Sequence, residues 1–353
     1  MELRRVARRR AEVSGLLLIS SSRQVMVVRP ADASGLLGPS TSSRPSDAPP
    51  VRDWSWYTHQ APPRHGIDLA DGCILVAQDQ ELNIRDVATS RTIRTISTGT
   101  FAITAAAVYR GFAITGHGGE SGQPRNGQND GGHEVRLWLL QPGKVHPAGR
   151  RACTLKGHTA AVCSLCVVTT ASGAPLLASA AEHGFEVRLW AGCFSEVAKP
   201  ACAAVLTPPE DHASASWLLS LGRGLMLVAG GLGRSGGRQL WVWRLPAGLG
   251  ADAAPLACAG TAEGSPQIRA GGRRALAPLG GGRVVVGTHQ GELREYLWDD
   301  RAGRLRESAR GELPPRMDSR SKIAALAAHP SDAQRTPVAA GFVTLMTAGN
   351  ASG

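Results

Sequence analysis

Two short segments carry the residue types of a serine hydrolase. Gly233-Arg-Ser-Gly-Gly237 satisfies G-x-S-x-G, and His117-Gly118-Gly119 lies upstream, as an oxyanion loop would. That chemistry needs the serine on a strained turn between a strand and a helix of a parallel sheet. No amphipathic helix follows either segment, and both fall between runs of alternating apolar residues, so they read as Gly-rich turns. Cys163-x-x-Cys166 has the spacing of half a zinc site. It lies in Val162–Val168, an alternating apolar run, and residues three apart on a strand point to opposite faces. A shared metal is therefore not expected. There is no G-x-x-x-x-G-K-[ST], no H-E-x-x-H and no dinucleotide fingerprint between a strand and a helix. No catalytic residue, cofactor or metal ligand is assigned, and the chain reads as a non-enzyme.

The elements that hold these segments recur. A run of apolar residues ending in a small one is followed by a polar turn, then by alternating apolar positions. The second run begins at Val25, Leu82, Val135, Val187, Leu240 and Leu293, with successive spacings of 57, 53, 52, 53 and 53. Period-2 alternation marks strands, and about 53 residues leave room for four short ones. A lone four-stranded sheet cannot cover both its faces, so neighbouring units must stack, and radial stacking gives a β-propeller. The innermost strands are expected at Ile103–Tyr109, Val162–Val168, Ser216–Leu221, Ile268–Leu276 and Ile323–Ala328. The outermost are expected at Thr92–Ser97, Ala152–Leu155 and Ala201–Leu206. Phe342–Thr347 stands one period after Leu293 and suggests a seventh unit.

Within this pattern GHTAAVCSLCVV…LLASAAEHGFEVRLW, from Gly157 to Trp190, resembles a WD40 repeat. The EVRLW at 134–138 and 186–190 and the LWVW at 240–243 match that family's third strand. The resemblance covers about residues 12–348 of the 353. It implies an all-β propeller of about seven four-stranded blades, incomplete at the C-terminus unless Glu2–Arg10 supplies the missing outer strand. It also implies that His158, after Gly157, bonds within the blade to Ser179 and Trp190. Trp138, Trp190 and Trp243 would then pack between blades, giving these residues structural roles without chemistry.

Composition agrees with many strands and turns: 43 Gly, 22 Pro, and 8 Trp against 3 Tyr and 5 Phe, with 42% hydrophobic and 19% charged residues. The whole of 1–353 reads as one propeller domain with two excursions, a Pro/Ser-rich disordered loop at 31–50 and a Gly-rich insertion at 116–133. No apolar run is long enough for a transmembrane helix. Seven cysteines, an odd number scattered through apolar runs, do not form a secreted disulfide framework. A reducing intracellular compartment, cytoplasmic or nuclear, follows. The basic N-terminus also fits an organelle transit segment, against which Glu2 and Glu12 count.

The resemblance implies a platform for protein partners in a multiprotein complex, for example a ubiquitin-ligase, signalling or trafficking assembly. The candidate contact residues lie in and beside the Gly-rich turns 116–133 and 230–238: His117, Arg125, His133, Arg234 and Arg238. A formal charge of +11 supports a second reading, a propeller associated with nucleic acid or a ribonucleoprotein. The loops at the end bearing those turns balance acid against base. The excess lies in Arg4, Arg5 and Arg8–Arg10 and at the opposite end, for example Arg150, Arg151, Arg301, Arg304 and Arg306.

Overall fold

The computed structural model describes residues 17–20, 25–28, 65–68, 73–86, 91–99, 101–118, 132–140, 149–182, 185–195, 199–209, 213–232, 238–249, 256–262, 276–287, 292–312 and 325–328. Every regular element among them is a β-strand, and the strands pair antiparallel. The first sheet contains β1 (Leu17–Ser20) and β2 (Val25–Val28). The second comprises β3 (His65–Asp68), β4 (Cys73–Gln78), β5 (Glu81–Asp86) and β6 (Thr92–Ser97). The third holds β7 (Ala102–Tyr109), β8 (Phe112–Gly118), β9 (Val135–Leu139) and β10 (Arg151–Leu155). The fourth holds β11 (Val162–Thr169), β12 (Pro175–Ala181), β13 (Val187–Ala191) and β14 (Ala201–Val205). The fifth is built from β15 (Ala213–Gly222), β16 (Leu225–Leu232), β17 (Arg238–Arg244) and β18 (Gly260–Thr261). The sixth contains β19 (Leu276–Gly280), β20 (Arg283–Gly287), β21 (Glu292–Asp299) and β22 (Arg304–Glu312).

β23 (Ala325–Ala328) does not open another sheet. It pairs with β1, from Leu17 opposite Ala328 to Ser20 opposite Ala325. Ala325–Ala328, within the Ile323–Ala328 stretch read from sequence as the start of a seventh unit, thus joins the first sheet beside β1. Phe342–Thr347 and Glu2–Arg10 lie outside the described residues, as do 31–50 and 119–131. Of the inner strand expected at Ile268–Leu276 only Leu276 is among the described residues; β19 runs from there to the tight turn Gly281–Gly282 into β20.

The third strand of each unit shows why the sheets stack. Val187 and Leu189 face the fifth sheet, in a cluster with Trp241, Trp243 and Met226. Trp190, of opposite parity, turns to the third sheet and packs with Ile114, Leu137 and Tyr109. Val135 and Leu137 meet the fourth sheet, while Trp138 meets Leu75, Leu82 and Ile96 of the second. Leu240 and Val242 meet Tyr296 and Trp298 of the sixth. Alternation thus gives the third, fourth and fifth sheets two apolar faces, each closed by the neighbour in sequence. Val135, Val187 and Leu240 are all buried at equivalent positions. The side chain of Leu293 lies outside the described residues.

Close approach also needs small residues. A Cβ on Gly230 would collide with the Ser214 carbonyl oxygen on the paired strand and press on the Trp241 ring. Gly230→Ala is expected to destabilise the fold by about 3 kcal/mol, the upper end of the usual cost of overpacking. Urea unfolding of the full chain measures it, and an unchanged midpoint would mean that β15 and β16 are not paired in this register.

Candidate functional site

At the end of the sheets that carries the turns between second and third strands, two neighbouring units repeat one arrangement of polar side chains. In the fourth sheet, Trp190 Nε1 donates to Ser179 Oγ at 2.7 Å, and Ser179 Oγ lies 2.6 Å from His158 Nε2. His158 Nδ1 stands 3.1 Å from Glu186 Oε1, an attraction whose geometry falls short of a hydrogen bond. In the third sheet, Trp138 Nε1 donates to Thr115 Oγ1 at 2.9 Å, and Thr115 Oγ1 lies 2.7 Å from His117 Nε2. His117 Nδ1 reaches the Phe101 carbonyl at 3.2 Å. Both chains of donors fit one tautomer, with the hydroxyl donating to an unprotonated Nε2 and the proton on Nδ1. Thr115 and Ser179 face equivalent residues across the sheet, Arg136 and Arg188.

The histidines reach these equivalent places by different routes. His158 comes from the loop before the inner strand, as the resemblance implied. His117 comes from β8 itself, two residues beyond Thr115 on the same face. It is fully buried, so the reading of His117 as a loop residue open to partners is corrected. The alternating run Phe112–Gly118 continues through it, and the insertion expected to begin at 116 starts beyond Gly118. Burial, chiefly, holds the imidazoles of both His117 and His158 down to about pKa 4, so both are neutral at pH 7. Neither is placed as a base beside a free nucleophile.

A second layer surrounds each tie. Glu186 Oε2 accepts from the Thr159 amide at 3.1 Å and its hydroxyl at 2.7 Å, while Oε1 takes Arg188 Nε at 2.9 Å. These donors hold the Glu186 carboxyl below its usual range despite partial burial. Glu134 pairs with Arg136 in the same way, and Arg136 Nη1 donates to the Thr98 carbonyl. The loops follow suit. Gly157 (φ 136°) and Gly99 (φ 107°) run so close to these guanidinium groups that a Cβ would sit 3.0 Å from Arg188 Nη1 and 2.9 Å from Arg136 Nη1. Thus the second residue of β9 and of β13, with the glutamate just before each strand, clamps the loop that enters the inner strand.

Of the other candidate contact residues, His133 is half-buried, and its charge would act on His158. Arg125 and Arg234 lie outside the described residues. Arg238 is not in a turn: it opens β17, paired with Gly231, and its side chain is not described. The Gly233–Gly237 motif is likewise outside the described residues. Cys163 and Cys166 do not point to opposite faces as expected. A bulge between Val162 and Ser164 resets the alternation, and both thiols pack on the side of the fifth sheet. Cys163 Sγ reaches the Ala180 and Ala215 carbonyls, and burial pushes the Cys166 thiol up to about 12. No group of three His, Cys, Asp or Glu among the described residues is arranged to hold a metal.

No protein-family model matches the chain, and no curated protein matches it by sequence. Solved structures match it by fold. One is from a crystal structure of the mitotic checkpoint complex, at 16% identity and a TM-score of 0.45, covering 69% of this chain and 63% of that one. The RRP9 WD40 repeats match at 15% identity and 0.42, covering 81% and 94%, and U3-55K matches at 14% and 0.41, covering 81% and 95%. The His158–Ser179–Trp190 tie stands where the sequence resemblance placed it. In that respect the repeat resembles a WD40 repeat.

In this WD40-like unit, sequence reading found His158, Ser179 and the tryptophans but not Thr115, Glu134, Arg136, Glu186 and Arg188. The signal was available, as E-x-R stands immediately before x-W at 134–138 and 186–190. Two outcomes follow. Trp190→Ala should cost about 3–5 kcal/mol, as for a large aromatic removed from a core, and a melting temperature near that of the unsubstituted chain would place the ring outside the seam. The histidines make the fold acid-sensitive. Their folded pKa values, about 4, lie below the unfolded 6.5, so the unfolded chain takes up protons first and stability falls between those values. Denaturation midpoints at about pH 7.5, 5.5 and 4.5 should show that fall. The double variant His117→Gln, His158→Gln should be weaker at pH 7.5 but flatter toward acid. Parallel acid limbs would rule the histidines out as its source.

Proposed function

We propose that the protein is a non-enzymatic scaffold, a single WD40-type propeller within 1–353 that presents loops to protein partners in a multiprotein assembly. A ubiquitin-ligase, signalling or trafficking complex is the kind of assembly that such a platform serves. The observation that carries this reading is the repeated clamp. Glu134 with Arg136, and Glu186 with Arg188, fix the loops at one end of adjacent sheets, and the histidines of the ties beneath them are neutral. Loops held on a rigid support lose little freedom on binding, which is where recognition concentrates. The pairing of β1 with β23 supports closure of the ring through the first sheet. Among the described residues no helix is long and apolar enough to cross a membrane, and we place the scaffold inside the cell.

The segments 119–131 and 233–237 follow the second strands β8 and β16, shortly before His133 and Arg238, and Arg125 and Arg234 belong to them. Partner recovery by affinity capture and mass spectrometry is expected to fall when both turns are replaced by short Gly-Ser connections. It should be insensitive to nuclease and unchanged when Arg8, Arg9 and Arg10 are neutralised. Recovery that collapses with nuclease or in the arginine variant would replace this reading with a nucleic-acid one.

A further inference from the structure

The opposite end of the sheets, where first strands turn into second strands, has a different character. Three of its hairpins close with two residues: Arg110-Gly111 between Tyr109 and Phe112, Arg223-Gly224 between Gly222 and Leu225, and Gly281-Gly282 between Gly280 and Arg283. Both residues of each turn have positive φ, 44° and 80°, 52° and 73°, and 62° and 83°. That is the type I′ pattern, which Asn-Gly and Gly-Gly fill best. Glycine takes both places in the sixth sheet. In the third and fifth sheets the left-handed first place is occupied by arginine, which tolerates it less well than glycine or asparagine, and Arg110 lies over the Tyr109 ring, 5.2 Å from its centre. Only one other described residue besides glycine, Asp79, has φ in this region. Strain of this kind, repeated with the same side chain, points to what the side chain does.

The fifth and sixth sheets extend the pattern. Arg244, at the end of β17, binds Asp300 at 2.6 Å, and the charge of Arg223 also acts on Asp300. On the same β21–β22 turn, Arg306 binds Asp299 at 3.1 Å, with Arg304 acting on it too. Both aspartates serve as supports. Asp299 accepts from the Arg301 and Ala302 amides at 2.9 and 3.0 Å, and Asp300 accepts from Trp298 Nε1 at 2.9 Å. Arg223, Arg244, Arg301, Arg304 and Arg306 are all exposed. They outnumber the two aspartates and so leave a positive field spread over two sheets, and Arg110 stands at the same end of the third sheet, with the fourth sheet between.

We infer that this turn face binds a single strand of nucleic acid by its phosphates. Guanidinium forks match phosphate oxygens in pairs. A protein partner would need an apolar or aromatic anchor at the centre of the contact, and Leu297 is the one exposed large apolar residue that β21 offers beside these arginines. Contacts of this kind set position and carry little base preference. The face lies at the far end from the clamped loops, so strand and protein partner would bind together.

The test uses the full chain and a fluorescein-labelled single-stranded RNA of about 20 nucleotides, with DNA of the same sequence and an oligoglutamate peptide as comparisons. Affinity for RNA should fall steeply from about 50 to 300 mM salt, by about 0.7 in the logarithmic slope for each phosphate contacted. RNA and DNA should bind within about threefold of each other, as a backbone contact requires. The variant Arg110→Asn, Arg223→Asn, Arg301→Gln, Arg306→Gln should bind at least about tenfold more weakly with a reduced salt slope. It should melt no lower than the unsubstituted chain, since asparagine suits the first place of a type I′ turn better than arginine. A variant neutralising Arg8, Arg9 and Arg10 should keep its affinity. On the unsubstituted protein, 4-thiouridine crosslinks should map to 108–112, 221–225 and 299–306. Unchanged binding by the turn variant, loss confined to the N-terminal variant, peptide binding as tight as RNA, or crosslinks confined to other segments would each overturn the inference.

Discussion

An indole buried between two sheets carries a donor that water cannot reach, and the third and fourth sheets are organised around satisfying it. Trp138 and Trp190 each donate to a hydroxyl on the adjacent strand, and that hydroxyl then needs an acceptor of its own. A neutral imidazole can supply the acceptor while passing its remaining proton outward, to a backbone carbonyl for His117 and toward a carboxylate for His158. The arrangement works only while the ring is uncharged. Protonation would turn Nε2 into a donor facing another donor, in a place where burial already disfavours charge. Seam packing, tautomer and acid sensitivity therefore have one origin.

The other sheets show what happens when the hydroxyl is absent. Val76, Val228 and Val286 stand where Thr115 and Ser179 stand in their sheets. With Val228 beneath it, Trp243 sends its Nε1 to the Leu256 carbonyl at 3.0 Å instead. In the sixth sheet the large ring is Tyr296, and in the second sheet the place falls to Arg85. The clamp varies independently: the sixth sheet keeps Glu292-x-Arg294 opposite Val286, whereas the second has Glu81-x-Asn83, where Asn83 Oδ1 accepts from Thr95 at 2.6 Å. In the fifth sheet it becomes Gln239-x-Trp241, with an edge-to-face contact to Phe185 of the fourth. What persists through every version is a large side chain at the seam. The polar wiring is one of several solutions.

This separates what the sequence made legible from what it did not. Alternation and a period near 53 depend only on which residues are apolar, so the strand order and the facing of Val135, Val187 and Leu240 could be read directly. The His158 tie was legible because Gly157-His158 and EVRLW sit in one copy at familiar spacing. The His117 tie was hidden because its histidine comes from the strand beside the hydroxyl, so no loop motif announces it. Its Gly-rich surroundings suggested a turn, although Phe112–Gly118 alternates without a break. The bulge at Cys163 reversed a parity argument that holds only for regular strands. The pairing of β23 with β1 escaped for a different reason, since strands about 300 residues apart share no local pattern.

The two ends of the sheets differ because the polypeptide uses charge differently at each. At the clamped end, glutamate and arginine are consumed in pairs, holding Thr98 and Thr159 in place, and little net field is left over. At the turn end, the hairpins need no clamp. Two-residue turns are fixed largely by their own backbone geometry, so a charge placed on one is not needed to hold it. Arg110 and Arg223 occupy those places against their conformational preference, while Asp299 and Asp300 are spent on the neighbouring turn. A surface whose shape is set by glycine and hydrogen bonds does not depend on Arg110 and Arg223 for its order. Order is paid for at one end by polar ties and at the other by turn geometry, and only the second leaves an uncompensated field.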